Sequence, residues 1–208
     1  MILFDIIGIV GLFSIFALTH TLLASKKIKL ALKEKLGGAI AFYRFFYNVT
    51  SIIFFLLFYL IAPKPGITVY DLHYPYDIIT FVFQVLSFLG IIISAKPIDL
   101  LEFAGIRQIV RYLKGGYDEN DLDEKQPLIT GGIYKYVRHP IYLFTILFLG
   151  FRPAMDLFYF VTFVCVVIYF YIGSIFEEER LKEKYGKEYE EYIKNTPRIF
   201  PWKIKKGI

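Results

Sequence analysis

Residues 2–24, "ILFDIIGIVGLFSIFALTHTLLA", carry one acid and no lysine or arginine. About 20 such residues in a helix cross the roughly 30 Å hydrocarbon layer of a bilayer. Lipid-exposed backbone survives there only as a helix or a closed barrel. Similar apolar runs recur at Phe42–Ala62 and Asp77–Ala95, and Phe144–Phe176 holds two more, broken by "FRPAMD". The chain is 56% hydrophobic with a mean hydropathy of +0.51, beyond the range of an ordinary soluble domain. The expected fold is an all-α integral membrane protein of about five transmembrane helices. Asp5 where a leader would be basic, with no small-residue cleavage site after the run, marks the first helix as retained rather than as a signal peptide.

The breaks and charges organise the rest. "PKPG" stops the second run, because proline cannot donate to a helical ladder. The fourth run, counted from Pro140 to Phe151, rises only about 18 Å at ~1.5 Å per residue, so whether it crosses fully stays open. The 26–44 loop is strongly basic, the 63–77 loop has one lysine, and both 96–139 and the tail after Phe176 are rich in Lys and Arg. The positive-inside rule then predicts an external N-terminus and three basic cytoplasmic segments. The same bias accounts for the net charge of +5 without nucleic acid. A single cysteine, Cys165, excludes an intrachain disulfide or a thiolate cluster. His20, His73 and His139 lack ligand spacing, so no metal is expected. Residues 1–95 read as a three-helix membrane region and 96–208 as the functional region, in one integrated domain.

Two further stretches keep helical periodicity. In "DLLEFAGIRQIVRYL", Phe103, Ile106, Val110 and Leu113 share a face, which predicts an interfacial helix on membrane lipids. In the tail, Leu181, Tyr185, Tyr189 and Tyr192 form a stripe, which predicts an amphipathic cytoplasmic helix.

Chemistry concentrates in two places. "GGIYKYVRHPIYL" (131–143) puts Pro140 at a helix start and His139 at the boundary, since proline favours the first helical position and disfavours helix before it. The free N–H groups of that first turn make an anion site, with Gly131 and Gly132 free to bend around a ligand. A plain helix start with Arg138 reaching lipid phosphates is the alternative. The second place is "IFEEER", where Glu178 continues the tail's apolar stripe backward. A carboxylate on such a face needs a pairing partner or a cationic or hydroxyl-rich ligand. Both features end on the same side of a helical hairpin.

Together, "GGIYKYVRHPIY" and "EEERLKEKYGKEYEEYIKNTPRIFP" resemble the cofactor-binding half of the isoprenylcysteine carboxyl methyltransferase and phospholipid methyltransferase superfamily. The family pattern falls on Arg138, His139, Pro140 and Tyr142; Glu177 and Glu178; Tyr185 and Gly186; Tyr189, Tyr192, Pro197, Arg198 and Pro201. "HTLLASKKIK", "YRFFYN" and "DLLEFAGIRQ" further resemble methanethiol S-methyltransferases and NnrU-type membrane proteins, through His20, Ser25, Arg44, Tyr47, Asn48, Gly105, Arg107 and Gln108. The resemblance implies methyl transfer from S-adenosylmethionine to a small or lipophilic acceptor, a thiol first and a prenylcysteine carboxylate or phospholipid amine next. It implies that Glu177 and Glu178 hold the cofactor's amino group or ribose. Tyr134, Val137, Arg138, His139, Pro140 and Tyr142 would cradle the rest, and Arg107, Arg198 or His20 would orient or deprotonate the acceptor. A non-catalytic membrane protein of the same fold is the rival expectation.

Overall fold

A computed structural model describes residues 1–120, 122 and 127–201. Parts of the basic 96–139 loop and of the basic tail lie outside the described residues. The chain forms two compact units: Met1–Pro63 with Ile98–Gln126, and Lys64–Pro97 with Pro127–Ile208.

In the first unit, α1 (Ile2–Ala24) and α3 (Tyr43–Ile61) pack along their length. Phe13 meets Phe58 edge-to-face at 5.5 Å, and Phe16 meets Phe55 at 5.5 Å. Between them, Ser25 accepts from the Ile28 N–H and caps α2 (Lys26–Leu36), so much of the basic loop is helical. The single helix expected over 99–113 is instead two, α5 (Leu100–Phe103) and α6 (Ile106–Leu113). Gly105 breaks it with a left-handed φ of +87°, and a Cβ there would lie 2.5 Å from the Phe45 backbone nitrogen. Arg44 Nε and Asn48 Nδ2, both on α3, donate to the Phe103 carbonyl at 2.9 Å and hold the break in place. Beneath it, buried Glu102 accepts both Arg111 guanidinium N–H groups at 2.8 Å and Gln108 Nε2 at 3.1 Å.

In the second unit, α4 (Tyr76–Ala95) packs on α7 (Pro140–Gly150). Ser87, Gly90 and Ser94 are the buried residues of α4. A Cβ on Gly90 would sit 2.3 Å from the Phe144 ring. Small residues allow this close approach where lipid supplies no hydrophobic drive between helices. "FRPAMD" is more than a tight turn, and the chain is not purely helical. Its residues Ala154–Asp156 form β2, antiparallel to β1 (Thr68–Asp71). Asp156 then accepts from the Tyr159 N–H at 2.9 Å and caps α8 (Leu157–Tyr185), 29 residues long. The continuous tail stripe is also corrected. Gly186, at φ +56°, ends α8 and α9 (Lys187–Asn195) starts afresh, separating Leu181 and Tyr185 from Tyr189 and Tyr192.

Among the described residues, four helical segments are long and apolar enough to span: Ile2–Ala24, Lys26–Ile61, Tyr76–Ala95 and Leu157–Tyr185. With 11 residues, α7 is a shorter apolar helix that rises only about 16 Å at ~1.5 Å per residue, so four of the expected five or so spans have spanning length. Exposed Leu, Ile, Val and Phe side chains crowd α1, α3 and α4, the pattern of a multi-pass membrane protein whose solvent is lipid.

Candidate functional site

The residues singled out in the C-terminal half meet inside the second unit. Pro140 starts α7 with His139 as the residue before it, as the proline rule requires. The extended segment leading in is tied to the chain after α9: Arg138 N–H donates to the Pro197 carbonyl at 2.9 Å and His139 N–H to the Arg198 carbonyl at 3.0 Å. These two bonds bring the Arg-His-Pro and Pro-Arg segments side by side below the C-terminal part of α8.

Glu178 is the centre of the cluster, 3% exposed. Its Oε1 accepts from Arg138 Nε (2.9 Å) and Nη2 (2.7 Å), from His139 Nε2 (3.1 Å) and from Arg198 Nε (3.1 Å). Its Oε2 accepts from Arg198 Nη2 at 3.0 Å. Arg138 Nη1 turns the other way, onto the carbonyls of Thr196 and Ile193. The partner that the apolar-face argument demanded for Glu178 is thus supplied by the protein, and Glu178 organises two arginines and a histidine. Burying this many charges is tolerable only because nearly every donor is matched.

Glu177 behaves differently. Its side chain is 37% exposed and lies 3.5 Å from His139 Nδ1, while Tyr142 donates its hydroxyl to Oε2 at 2.8 Å. The rings of His139, Tyr142 and Phe170 stack in sequence, 5.2 and 4.4 Å between centroids. Tyr134 donates to the Ser94 carbonyl at 3.0 Å and receives the Tyr192 hydroxyl on its own carbonyl at 2.5 Å. Burial, with the Glu177 charge behind it, pushes the Tyr134 phenol up to about 12, so it acts as a donor. Val137 packs in the core with Leu143, Ile146 and Ile199, which positions the segment from beneath.

Burial opposes charge on His139, but hydrogen bonding to Glu177 and Glu178 outweighs it and raises the imidazole above its ordinary 6.5. A raised folded-state value stabilises the fold at pH below about 6.5, and that contribution fades as pH climbs through the folded value. Wild type should therefore exceed His139→Gln in melting temperature most clearly at acidic pH, with the gap narrowing under alkaline conditions. Parallel thermal scans in detergent across pH measure this, and a gap that widens with pH would contradict it.

Beside the cluster lies a pocket of about 260 Å³, bounded by Arg138, Tyr171 and the run from Ile193 to Arg198. The Arg198 guanidinium stands 5.8 Å over the Tyr171 ring, and its Nη1 is not engaged by Glu178. Tyr171 and Lys194 were not anticipated: one belongs to an apolar run and the other to a charged one, so neither stands out by pattern. Tyr189, 1% exposed, has a buried hydroxyl with no hydrogen-bond partner among the described residues.

The remaining candidates lie in the first unit. Arg107 forms an exposed ion pair with Asp99 at 2.7 Å. His20 contacts Tyr47 and Ser51 across the α1–α3 pair. Among the described residues, no group of His, Cys, Asp and Glu is arranged to hold a metal.

The family model "Phospholipid methyltransferase" matches residues 86–188. Methanethiol S-methyltransferase 1 of Bradyrhizobium diazoefficiens is 28% identical over 197 residues, 92% of this chain and 65% of the relative. Methanethiol S-methyltransferase of Crocosphaera subtropica is 28% identical over 201 residues, covering 95% and 75%. That of Pseudomonas deceptionensis is 30% identical over 111 residues, covering 53% and 40%. The chain thus spans just under two thirds of the first relative's length and three quarters of the second's. No solved structure matches. The family-model match runs from α4 through the Arg-His-Pro segment and the Glu pair into the start of α9, so this part of the chain is similar to the phospholipid methyltransferases.

Proposed function

We propose that this chain is an integral membrane methyltransferase that uses S-adenosylmethionine and methylates a small thiol such as methanethiol. The observation that carries the reading is the convergence of Arg138, His139 and Arg198 on the Glu178 carboxylate, with both arginines also bounding a pocket. The donor set fits such a cofactor. Arg198 and Lys194 bring cations to the pocket for a carboxylate, and the Tyr171 ring offers a face to a sulfonium or a base. Glu177, the more accessible of the pair, supplies acceptors for an ammonium or a ribose diol. Glu178 acts one step back, holding Arg138, His139 and Arg198 in place. Arg107 and His20 remain candidates for handling the acceptor.

When bound, S-adenosylmethionine supplies an electrophilic methyl carbon on a sulfonium. The chain needs no nucleophile of its own; it must hold, orient and exclude water. A thiolate meeting a sulfonium cancels charge, which an apolar surround favours over water. The thiol preference draws on the names of the relatives, and the basic loops favour a cofactor site on the cytoplasmic side. A phospholipid amine is the second acceptor, favoured by the family whose model matches.

The test uses the full chain in detergent with methyl-labelled S-adenosylmethionine and offers methanethiol, a farnesylated cysteine and phosphatidylethanolamine in parallel. Label should move to methanethiol. Label on the phospholipid instead would replace the thiol reading. Transfer to none, with no cofactor binding, would leave a non-catalytic member of the fold.

A further inference from the structure

The short helix α6 is built inside out. At about 100° per residue, Ile106, Val110 and Leu113 fall on one face, and Arg107, Gln108, Arg111 and Tyr112 on the other. A surface helix of a water-soluble domain turns its apolar face inward. Here the polar face is the docked one. Gln108 is buried, and its Nε2 donates to the Glu102 carbonyl and to Glu102 Oε1, both at 3.1 Å. Arg111 gives two guanidinium N–H groups to the same carboxylate at 2.8 Å, and Arg107 turns to Asp99 at 2.7 Å. The Tyr112 ring meets Phe42 edge-on, 5.6 Å between centroids. The apolar face points away from the chain: Ile106, Val110 and Leu113 are exposed, Leu113 by 72%, and α5 adds exposed Leu100, Leu101 and Phe103.

The segment is also fastened at the start of a spanning helix. Arg44 and Asn48, in the first turns of α3, hold the Phe103 carbonyl, and Gly105 lies against the Phe45 backbone. Phe45, Phe46 and Val49 are exposed in those same turns and begin the lipid-facing surface of α3. The exposed face of α5–α6 therefore adjoins a surface whose solvent is lipid.

We propose that α5–α6 lies in the bilayer interface as a monotopic segment, its apolar side chains sunk among the upper acyl chains and held there by apolar burial rather than by anionic headgroups. Interfacial binding scales with buried apolar area plus attraction to anionic lipid. Across residues 99–113, two acids balance two arginines, so the second contribution is small and the first remains. Those pairs also let the segment sink, because an arginine drawn toward hydrocarbon without an acid beside it is costly. A protein surface, such as a second copy of the chain, is the competing occupant of the same face.

Depth and lipid charge separate these readings. The full chain carries Cys165→Ser, so that each variant holds one thiol, and an environment-sensitive fluorophore is attached through Leu113→Cys or Lys114→Cys. Each protein is placed in phosphatidylcholine vesicles containing lipids with nitroxides at known depths. The label at Leu113 is expected to sit about 5–10 Å into the headgroup and acyl boundary, quenched by shallow nitroxides and shielded from aqueous iodide. The label at Lys114, at the rim of the face, should stay open to iodide. Adding phosphatidylglycerol or raising salt should leave both readings unchanged, since screening acts on charge and not on apolar burial. Iodide reaching both positions equally, or insertion that needs phosphatidylglycerol, overturns the proposal. So does a Leu113 label shielded from iodide yet untouched by the nitroxide lipids, which would place a protein surface there. If Leu113→Cys does not fold, Val110→Cys reads the same depth from the same face.

Discussion

Replacing Glu178 with alanine is expected to unfold much of the second unit, at a cost of about 3–5 kcal/mol. The figure follows from what remains behind. The Arg138 side chain is 7% exposed, and it would keep its charge and its place beneath α8 with no carboxylate to face. Arg198 and His139 would lose the same acceptor, and the two backbone bonds joining their segments would lose the side chains that hold them together. A loss of that size is a large share of the roughly 5–15 kcal/mol that keeps a protein folded. The comparison variant is Glu177→Gln, whose side chain is more than a third exposed and whose bond to Tyr142 an amide can still accept. Glu177→Gln should melt close to wild type yet lose S-adenosylmethionine binding, while Glu178→Ala should be aggregated or strongly destabilised before binding is measured. Thermal unfolding in detergent reads both. A stable Glu178→Ala protein would show that the hub is not what joins these segments.

The second large effect is expected at Gly105. Its φ of +87° costs an L-residue about 1–2 kcal/mol. A Cβ would also meet the Phe45 backbone nitrogen at 2.5 Å and the Arg44 carbonyl carbon at 3.0 Å, atoms that cannot rotate aside. With overpacking of that kind worth about 1–3 kcal/mol, Gly105→Ala should lose about 2–5 kcal/mol in all. Gly115→Ala is the control: it shares a left-handed φ of +71° but has nothing within 4 Å of its Cβ. The difference between the two melting temperatures isolates the close approach. If both variants melt alike, the docking of the α5–α6 break on α3 contributes nothing.

Much of this was legible in the chain because it is local. Pro140, Asp156 and the prolines after Ile61 mark helix ends through backbone chemistry that needs no tertiary partner. The unease of Glu178 on an apolar stripe was legible for the same reason. Who satisfies it was not, because Arg138 stands 40 residues before it and Arg198 20 after, and pattern alone cannot distinguish a protein partner from a ligand. The β1–β2 pairing failed to announce itself likewise, since Thr68 meets Asp156 from far away along the chain. The two misread helices share one cause. At Gly105 and Gly186 the apolar spacing runs on as if nothing happened, while the backbone turns left-handed. Periodicity records which side chains are apolar, and glycine decides whether they remain on one helix.

The length of α8 has a consequence for where chemistry can occur. Its 29 residues make a post about 43 Å tall against a hydrocarbon slab of about 30 Å. Glu178, 21 residues beyond Leu157, stands about 32 Å up that post, level with the slab's far edge when Leu157 stands at the near one. The carboxylate hub therefore works as a waterline mark. Lipids with longer chains raise the waterline toward the charges, and shorter ones leave the pocket standing clear in water. Membrane thickness becomes a setting on the site, fixed by one helix and adjusted by the lipid around it.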